Sequence, residues 1–257
     1  MKKALIILHQ KRSITGDIGN KLKARGYSLD IRRPCCGESL PVNLDNHALV
    51  VILGGPISVN DDCEYKDYEI AWLKIVLESN KPFLGICLGA QMLAKHLGCK
   101  IEKNDSKLAE IGFFPIESTE LGHKLFKDQK TFYQFHDEGF ELPSDSKLLA
   151  TGKTFKHQAF QYKNCYAFQF HPEVNLYLHY RWLFFVLLYK PRKFFIPGAQ
   201  NILYQLQNAY IQAYPKLGSI EIVNNINQNI YYYQQKPLLQ QNESQLQVEV
   251  EVELEYS

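Results

Sequence analysis

Short apolar runs alternate with amphipathic stretches along the first part of the chain. "ALIILH" is followed by "GDIGNKLKARG", then by "YSLDIRR", "ALVVILGG", "DYEIAWLKIVLES", "PFLGIC" and "LGAQMLAKHLG". A continuous apolar run bounded by turn residues suits a strand covered on both faces, whereas apolar positions recurring every three to four residues suit a helix with one covered face. Strand and helix in alternation predict a parallel sheet flanked by helices on both faces. From 111 to 171 the texture changes to "IGFFPIE", "TFYQFH", "KLLATG", "HQAFQYK" and "CYAFQFH", separated by polar turns. These runs predict antiparallel or mixed strands added to the sheet. The expected fold class is therefore α/β, with a mixed, mostly parallel central sheet.

After His171, "PEVNLYLHYRWLFFVLLY" reads as a helix opened by Pro172, and "GAQNILYQLQNAYIQAY" as a second C-terminal helix; Pro191 and Pro197 punctuate the connection. The pattern then dissolves into "NNINQNIYYYQQKPLLQQNESQLQVEVEVELEYS". This Asn/Gln-rich composition offers little reason to pack, so residues 1–223 are expected to form one domain and 224–257 a disordered or loosely attached tail. The alternation in "VEVEVELE" also suits an extra strand.

Composition narrows the function. A chain of 257 residues can bury a substantial core and is long enough for an enzyme. A formal net charge of +2 gives no electrostatic case for nucleic acid. No apolar run approaches the length of about twenty residues that a membrane crossing needs, the densest stretch being "WLFFVLLY". Cys35, Cys36, Cys63, Cys87, Cys99 and Cys165 stand at no CxxC spacing, which suits reduced thiols and a cytoplasmic setting and leaves no case for a metal. The opening "MKKALIILHQKRSITG" carries two lysines before an apolar run but no small-residue cleavage site, and reads as a first buried strand rather than a signal.

The chemistry begins at "GICLGAQ". Cys87 stands between Gly85 and Gly89, where a strand-like run turns into a helix-like one. Two residues without Cβ permit a tight bend and close backbone approach on both sides of the thiol. At a helix N-terminus unpaired N–H groups favour an anion, and the thiolate is the nucleophilic form of cysteine. A buried small apolar residue is the competing reading of a lone cysteine. A nucleophile needs a base, and "YAFQFHPEV" ends a strand-like run in His171, with Pro172 stopping the strand and Glu173 placed to orient the ring. A third piece, "VVILGGP", ends a strand in Gly54, Gly55 and Pro56. Such a loop can turn a backbone N–H toward a ligand at the strand's carboxyl end. With the N–H of Leu88 it can build an oxyanion hole.

Together and in this order, "GGP", "GICLGAQ" and "FHPE" resemble the class I, triad-type glutamine amidotransferase family, over about residues 4–215. "LHQ", "LDIRRP", "EIGFFPI", "FHDEGFELP" and "PGAQ" look most like its stand-alone members similar to the glutaminase domain of GMP synthase. The resemblance implies a flavodoxin-like fold and hydrolysis of the glutamine side-chain amide through a γ-glutamyl thioester. It implies Cys87 as nucleophile, His171 as general acid and base, Glu173 as the residue that orients it, Gly55 and Leu88 as oxyanion amides, and Gln91 as a contact to the substrate L-glutamine. Gln134 and Phe135, in "YQFHDEG", would bind the amino acid through their backbone. No cofactor is implied.

The remaining candidates divide between chemistry and structure. His9 would lie near the same sheet edge, and His136 sits within the substrate-binding segment; each has a structural alternative. His96, His123, His157 and His179 are expected at the surface or as satisfied core residues, the adjacent Cys35 and Cys36 as incidental, and Arg25, Arg32 and Arg33 as a solvated strand end. Neither a P-loop nor the SGGxDS signature of an ATP-using synthetase occurs. An amidotransferase reading therefore leaves the ammonia acceptor unnamed, the synthetase being either a separate protein or absent. A self-sufficient γ-glutamyl hydrolase and a non-catalytic interaction module are the alternatives.

Overall fold

In the computed structural model the described residues are 1–189, 196–202 and 204–205. The 224–257 tail, the 1–223 boundary and most of the second C-terminal helix lie outside them. The central sheet has eight strands. Its parallel half runs β2 (Ser28–Arg32), β1 (Lys3–Ile7), β3 (Leu49–Ile52), β4 (Phe83–Ile86) and β12 (Cys165–Phe168). Beyond β12 the sheet continues antiparallel through β11 (His157–Tyr162), β10 (Lys147–Thr151) and β7 (Glu117–Ser118).

Helices cover both faces because the central strands β1, β3, β4 and β12 bury both of their own. On one face α1 (Gly16–Ala24) and α4 (Glu120–Phe126) close a layer that includes Ile18, Leu22, Leu125 and Phe126. Phe126 meets Phe132, Phe168 and Phe170 edge to face, a favoured aromatic arrangement. On the other face α2 (Glu64–Ser79) brings Trp72, Leu73 and Val76, and α3 (Leu88–His96) brings Leu88, Ala90, Met92 and Leu93. The mixed, mostly parallel sheet with helices on both faces is the expected one.

Three details depart from the periodicity. Apart from Glu117, which opens β7, "IGFFPIE" and "TFYQFH" do not join the main sheet: β6 (Glu110–Pro115) and β8 (Thr131–His136) pair with each other over six residue pairs. The small strands β5 (Ile101–Glu102) and β9 (Gly139–Phe140) form a third sheet. "CYAFQFH", by contrast, joins the main sheet as a mixed strand as expected, between β4 and β11, parallel to the first and antiparallel to the second. The helix after His171, α5 (Leu176–Tyr189), starts at Leu176 rather than at Pro172. Asn175 provides the start, its Oδ1 accepting from the Leu178 N–H at 2.9 Å. Pro172 and Glu173 belong instead to a turn. Among the described residues no helix is long and apolar enough to cross a membrane.

Candidate active site

Because β1, β3, β4 and β12 are parallel, their carboxyl ends share one edge, where open α/β sheets bind ligands. His9, Gly54 and Gly55, Cys87 and His171 all follow those strands. Four pieces far apart in sequence thus meet by topology alone.

Cys87 has φ 50° and ψ −105°, positive for a residue with a side chain. Such a backbone costs free energy and persists only where the surroundings impose it. Here its N–H donates to the Phe168 carbonyl at 2.7 Å, and its carbonyl accepts from the Gln91 N–H at 3.0 Å in the first turn of α3. The flanking glycines allow the helix to lie against the sheet. A Cβ on Gly85 would come within 2.6 Å of the Gly89 carbonyl oxygen, and one on Gly89 would collide with the Ile52 backbone. Cys87 is buried, at the N-terminus of α3.

His171 is also buried, and its Nδ1 lies 2.8 Å from Glu173 Oε1. Its own N–H donates to the Tyr133 carbonyl, which fixes the strand end against β8. Among the described residues Nε2 has no hydrogen-bond partner. Trp182 of α5 stands nearly perpendicular to the imidazole at 5.0 Å between ring centres, and Tyr133 tilts against it at 6.5 Å. Burial disfavours the imidazolium, but the negative charges of Glu173 and Cys87 outweigh it and raise the His171 pKa to about 10.

Gly54 is where the pair and the thiol meet. A Cβ there would lie 2.8 Å from His171 Cε1 and 3.4 Å from Cys87 Cβ. Gly55 lies against Leu88: its Cβ would come within 2.7 Å of Leu88 Cδ2 and of His9 Cβ. The two residues expected to provide oxyanion amides are therefore neighbours.

The expected substrate residues separate. Gln91 is buried, and its Nε2 donates to the Glu138 carbonyl at 3.0 Å and to Gln169 Oε1 at 3.2 Å. Gln134 is fully buried in a polar cluster, donating to Gln158 Oε1 at 2.8 Å while its Oε1 faces His136 Nε2 at 3.0 Å. Gln158 in turn donates to Glu110 Oε2 at 2.9 Å. Phe135 is half-buried, its ring edge-on to Trp182 at 6.3 Å. On β8 both residues follow Tyr133, whose carbonyl accepts from His171.

Of the other histidines, His9 is locked between Glu69 Oε2 at 2.9 Å and the Gly54 carbonyl at 3.3 Å. His96 and His157 each place Nδ1 on a backbone carbonyl, and His123 is exposed. His179 departs from expectation: it is buried among Phe113, Tyr133 and Tyr180, with neither ring nitrogen partnered among the described residues. Burial lowers its pKa to about 4. Among the described residues no group of three or more His, Cys, Asp or Glu is placed to hold a metal ion. Gln169, Glu138 and Trp182 were not singled out from the sequence, whereas Gly54 was already part of the "GGP" turn. Only the position of Gln169 beside the "FHPE" motif could have drawn attention to it.

The class-I glutamine amidotransferase family model matches residues 6–189 of the chain. The chain belongs to that family. It is 31% identical over 181 residues to a glutamine amidotransferase-like protein of Salmonella typhimurium, YfeJ, covering 66% of this chain and 75% of that one. It is 35% identical over 131 residues to one of the subunits of the glutamine-hydrolysing GMP synthase of Thermococcus kodakarensis, covering 49% of this chain and 65% of that relative. Among solved structures, a glutamine amidotransferase of Thermotoga maritima superposes with a TM-score of 0.76 at 25% identity, covering 89% of this chain and 97% of that one.

Proposed function

We propose that the chain hydrolyses glutamine through a thioester on Cys87. The observation that carries this reading is the meeting, at Gly54, of a thiol on a strained elbow and a buried His171–Glu173 pair whose second ring nitrogen is unpartnered among the described residues. The Cys87 thiolate, its proton already on His171 Nε2, attacks the side-chain carboxamide carbon. The oxyanion is held by the amides of Gly55 and Leu88. His171 then gives the proton to the departing nitrogen, the C–N bond breaks, and ammonia leaves a γ-glutamyl thioester. Water attacks the thioester as His171 takes its proton, the C–S bond breaks to restore the Cys87 thiolate beside the protonated ring, and glutamate departs. Glu173 orients the ring and offsets its charge throughout. Gln91 and the β8 backbone at Gln134 and Phe135 form the substrate side.

The ammonia acceptor belongs to another chain in this reading. Support comes from the Thermococcus relative, which is one of the subunits of a glutamine-hydrolysing GMP synthase. Six free thiols support a reducing, cytoplasmic setting.

The test is labelling with 6-diazo-5-oxo-norleucine and location of the adduct by mass spectrometry. The adduct is expected on Cys87 and absent from Cys87→Ala; an adduct elsewhere would falsify the assignment. Glutaminase assays with and without an added synthetase separate the remaining readings. Full activity of the isolated chain points to a self-sufficient γ-glutamyl hydrolase, and activity that requires the second protein to the glutaminase half of an amidotransferase.

A further inference from the structure

Strand β12 and its continuation send alternate side chains to opposite faces of the sheet. Phe168 and Phe170 enter the aromatic layer with Phe126 and stack on each other at 5.3 Å, while Ala167 enters the opposite layer with α3. Gln169, between the two phenylalanines, takes the α3 side. It is 0% exposed. A carboxamide in that position must find both donor and acceptor partners inside the protein.

Its partners are the nucleophile and a neighbour on α3. Gln169 Oε1 accepts from Gln91 Nε2 at 3.2 Å, and Gln169 Nε2 donates to Cys87 Sγ at 3.8 Å. The orientation of both amides follows from one fixed group. The Glu138 carbonyl can only accept, so Gln91 turns its NH₂ toward it, at 3.0 Å. The same NH₂ reaches Gln169, whose oxygen must face it, and the Gln169 NH₂ is left facing sulfur.

We propose that Gln169 is a hydrogen-bond donor to the nucleophile, aimed by Gln91 and the Glu138 carbonyl, that fixes the Cys87 sulfur and steadies its negative charge as the thioester forms and breaks. The turnover part of this inference rests on the glutaminase reading above; the contact to sulfur does not. A thiolate is a stronger acceptor than a thiol, so an N–H aimed at sulfur favours the charged form. The charged groups around that sulfur are His171, backed by Glu173, and the N-terminus of α3. Gln169 is neutral and adds a donor without competing for the proton that His171 carries. The Glu138 carboxylate reaches in another direction, to Ser58 Oγ and Asn60 Nδ2 just after the Gly54–Gly55 turn. One residue thus ties the glycine loop to the aim of the donor.

The experiment reads the rate of Cys87 alkylation by iodoacetamide against pH, by mass spectrometry, in the wild type, Gln169→Glu, Gln169→Met and Gln91→Met. Both Gln169 variants are expected to move the alkylation midpoint to higher pH, the glutamate further because its carboxylate faces sulfur. Glutamine turnover should fall about 10- to 100-fold in kcat, the effect of one lost hydrogen bond to a charged group, with KM nearly unchanged. Gln91→Met should shift the midpoint in the same direction by less. A wild-type midpoint in Gln169→Met overturns the proposal, whether or not kcat has fallen and whatever the added charge does in Gln169→Glu, because a packing role moves turnover alone. A shifted midpoint in a protein that hydrolyses no glutamine keeps the donor and sinks the glutaminase reading.

Discussion

Two buried histidine–glutamate pairs stand at the same edge of the sheet, and they are built to opposite ends. His9 places Nε2 on Glu69 at 2.9 Å and Nδ1 on the Gly54 carbonyl at 3.3 Å, so both ring nitrogens are spent. His171 places Nδ1 on Glu173 at 2.8 Å and leaves Nε2 without a partner among the described residues. A ring with both nitrogens engaged cannot pass a proton without losing a bond; a ring with one engaged nitrogen is oriented and still able to react. His9–Glu69 is therefore a strut joining β1 to α2 across the glycine turn, and His171–Glu173 is the reactive pair of the proposed mechanism. Proximity to the site does not distinguish them. The count of engaged nitrogens does.

The comparison breaks first at the reactive pair. Cys87→Ala should abolish turnover, and His171→Ala should lower kcat roughly 10²- to 10⁴-fold, the usual contribution of a general acid and base. Steady-state glutaminase assays on folded protein check both; a near-native rate in His171→Ala would remove it from the mechanism.

The same deletion in the strut should act on stability instead. His9→Ala leaves the fully buried Glu69 carboxylate without its partner, and removing one member of a buried pair costs about 3–5 kcal/mol. Urea unfolding should report that loss, while kcat of the folded fraction should fall far less than in His171→Ala. A His9→Ala protein of wild-type stability and poor kcat would reverse the assignment of the two pairs.

Glu173→Gln sharpens the contrast through pH. His171 has a folded value of about 10, above the ordinary 6.5 of the unfolded chain. Its pairing therefore stabilises the fold fully below the unfolded value, and that contribution is lost as pH rises from about 6.5 through about 10. With glutamine at 173 the main opposing charge is gone and burial acts with less resistance. The alkaline limb of the kcat/KM profile should move to lower pH, and the stability of the variant should vary less with pH between those limits. An alkaline limb unmoved by the substitution would mean that another group sets it.

What could be read from the chain follows from how local each feature is. The Cys87 elbow, the end of β12 at His171 and the glycine turn each lie within a few consecutive residues, so each was legible as a motif, and the structure brings the three together. Periodicity likewise carried the parallel half of the sheet. It could not show that β6 pairs with β8 in a separate sheet, because an alternating run specifies which face is buried and not which strand lies beside it. Gln169 was hidden for a related reason. Its contacts to Gln91 and Cys87 exist only because β12 lies parallel to β4, with Ala167 opposite Gly85 and Phe168 opposite Ile86. Gln134 was expected to bind through its backbone, and the use of its side chain in the cluster with Gln158 and His136 was not legible in the sequence. The α5 start was displaced because Asn175 offers a side-chain acceptor, and this outweighs the pre-set φ of Pro172.

The smallest expected effect separates the seat of Glu173 from the helix that follows it. The Glu173 carbonyl accepts from the Asp17 N–H at 3.0 Å and lies against Gly16, where φ is 56° and a Cβ would come within 2.5 Å of that oxygen. Asn175 caps α5 through Oδ1 and donates from Nδ2 to Asp17 Oδ1 at 2.7 Å. Asn175→Ala should therefore cost about 1 kcal/mol, the usual value of a lost N-cap, visible as a lower urea midpoint. The His171–Pro172–Glu173 turn should keep its shape, since Glu173 is held by the N-terminus of α1 rather than by α5, and kcat and its alkaline limb should stay at wild-type values. If instead the limb moves as it does in Glu173→Gln, the reactive pair is oriented through α5, and Trp182 on that helix becomes part of what holds the imidazole.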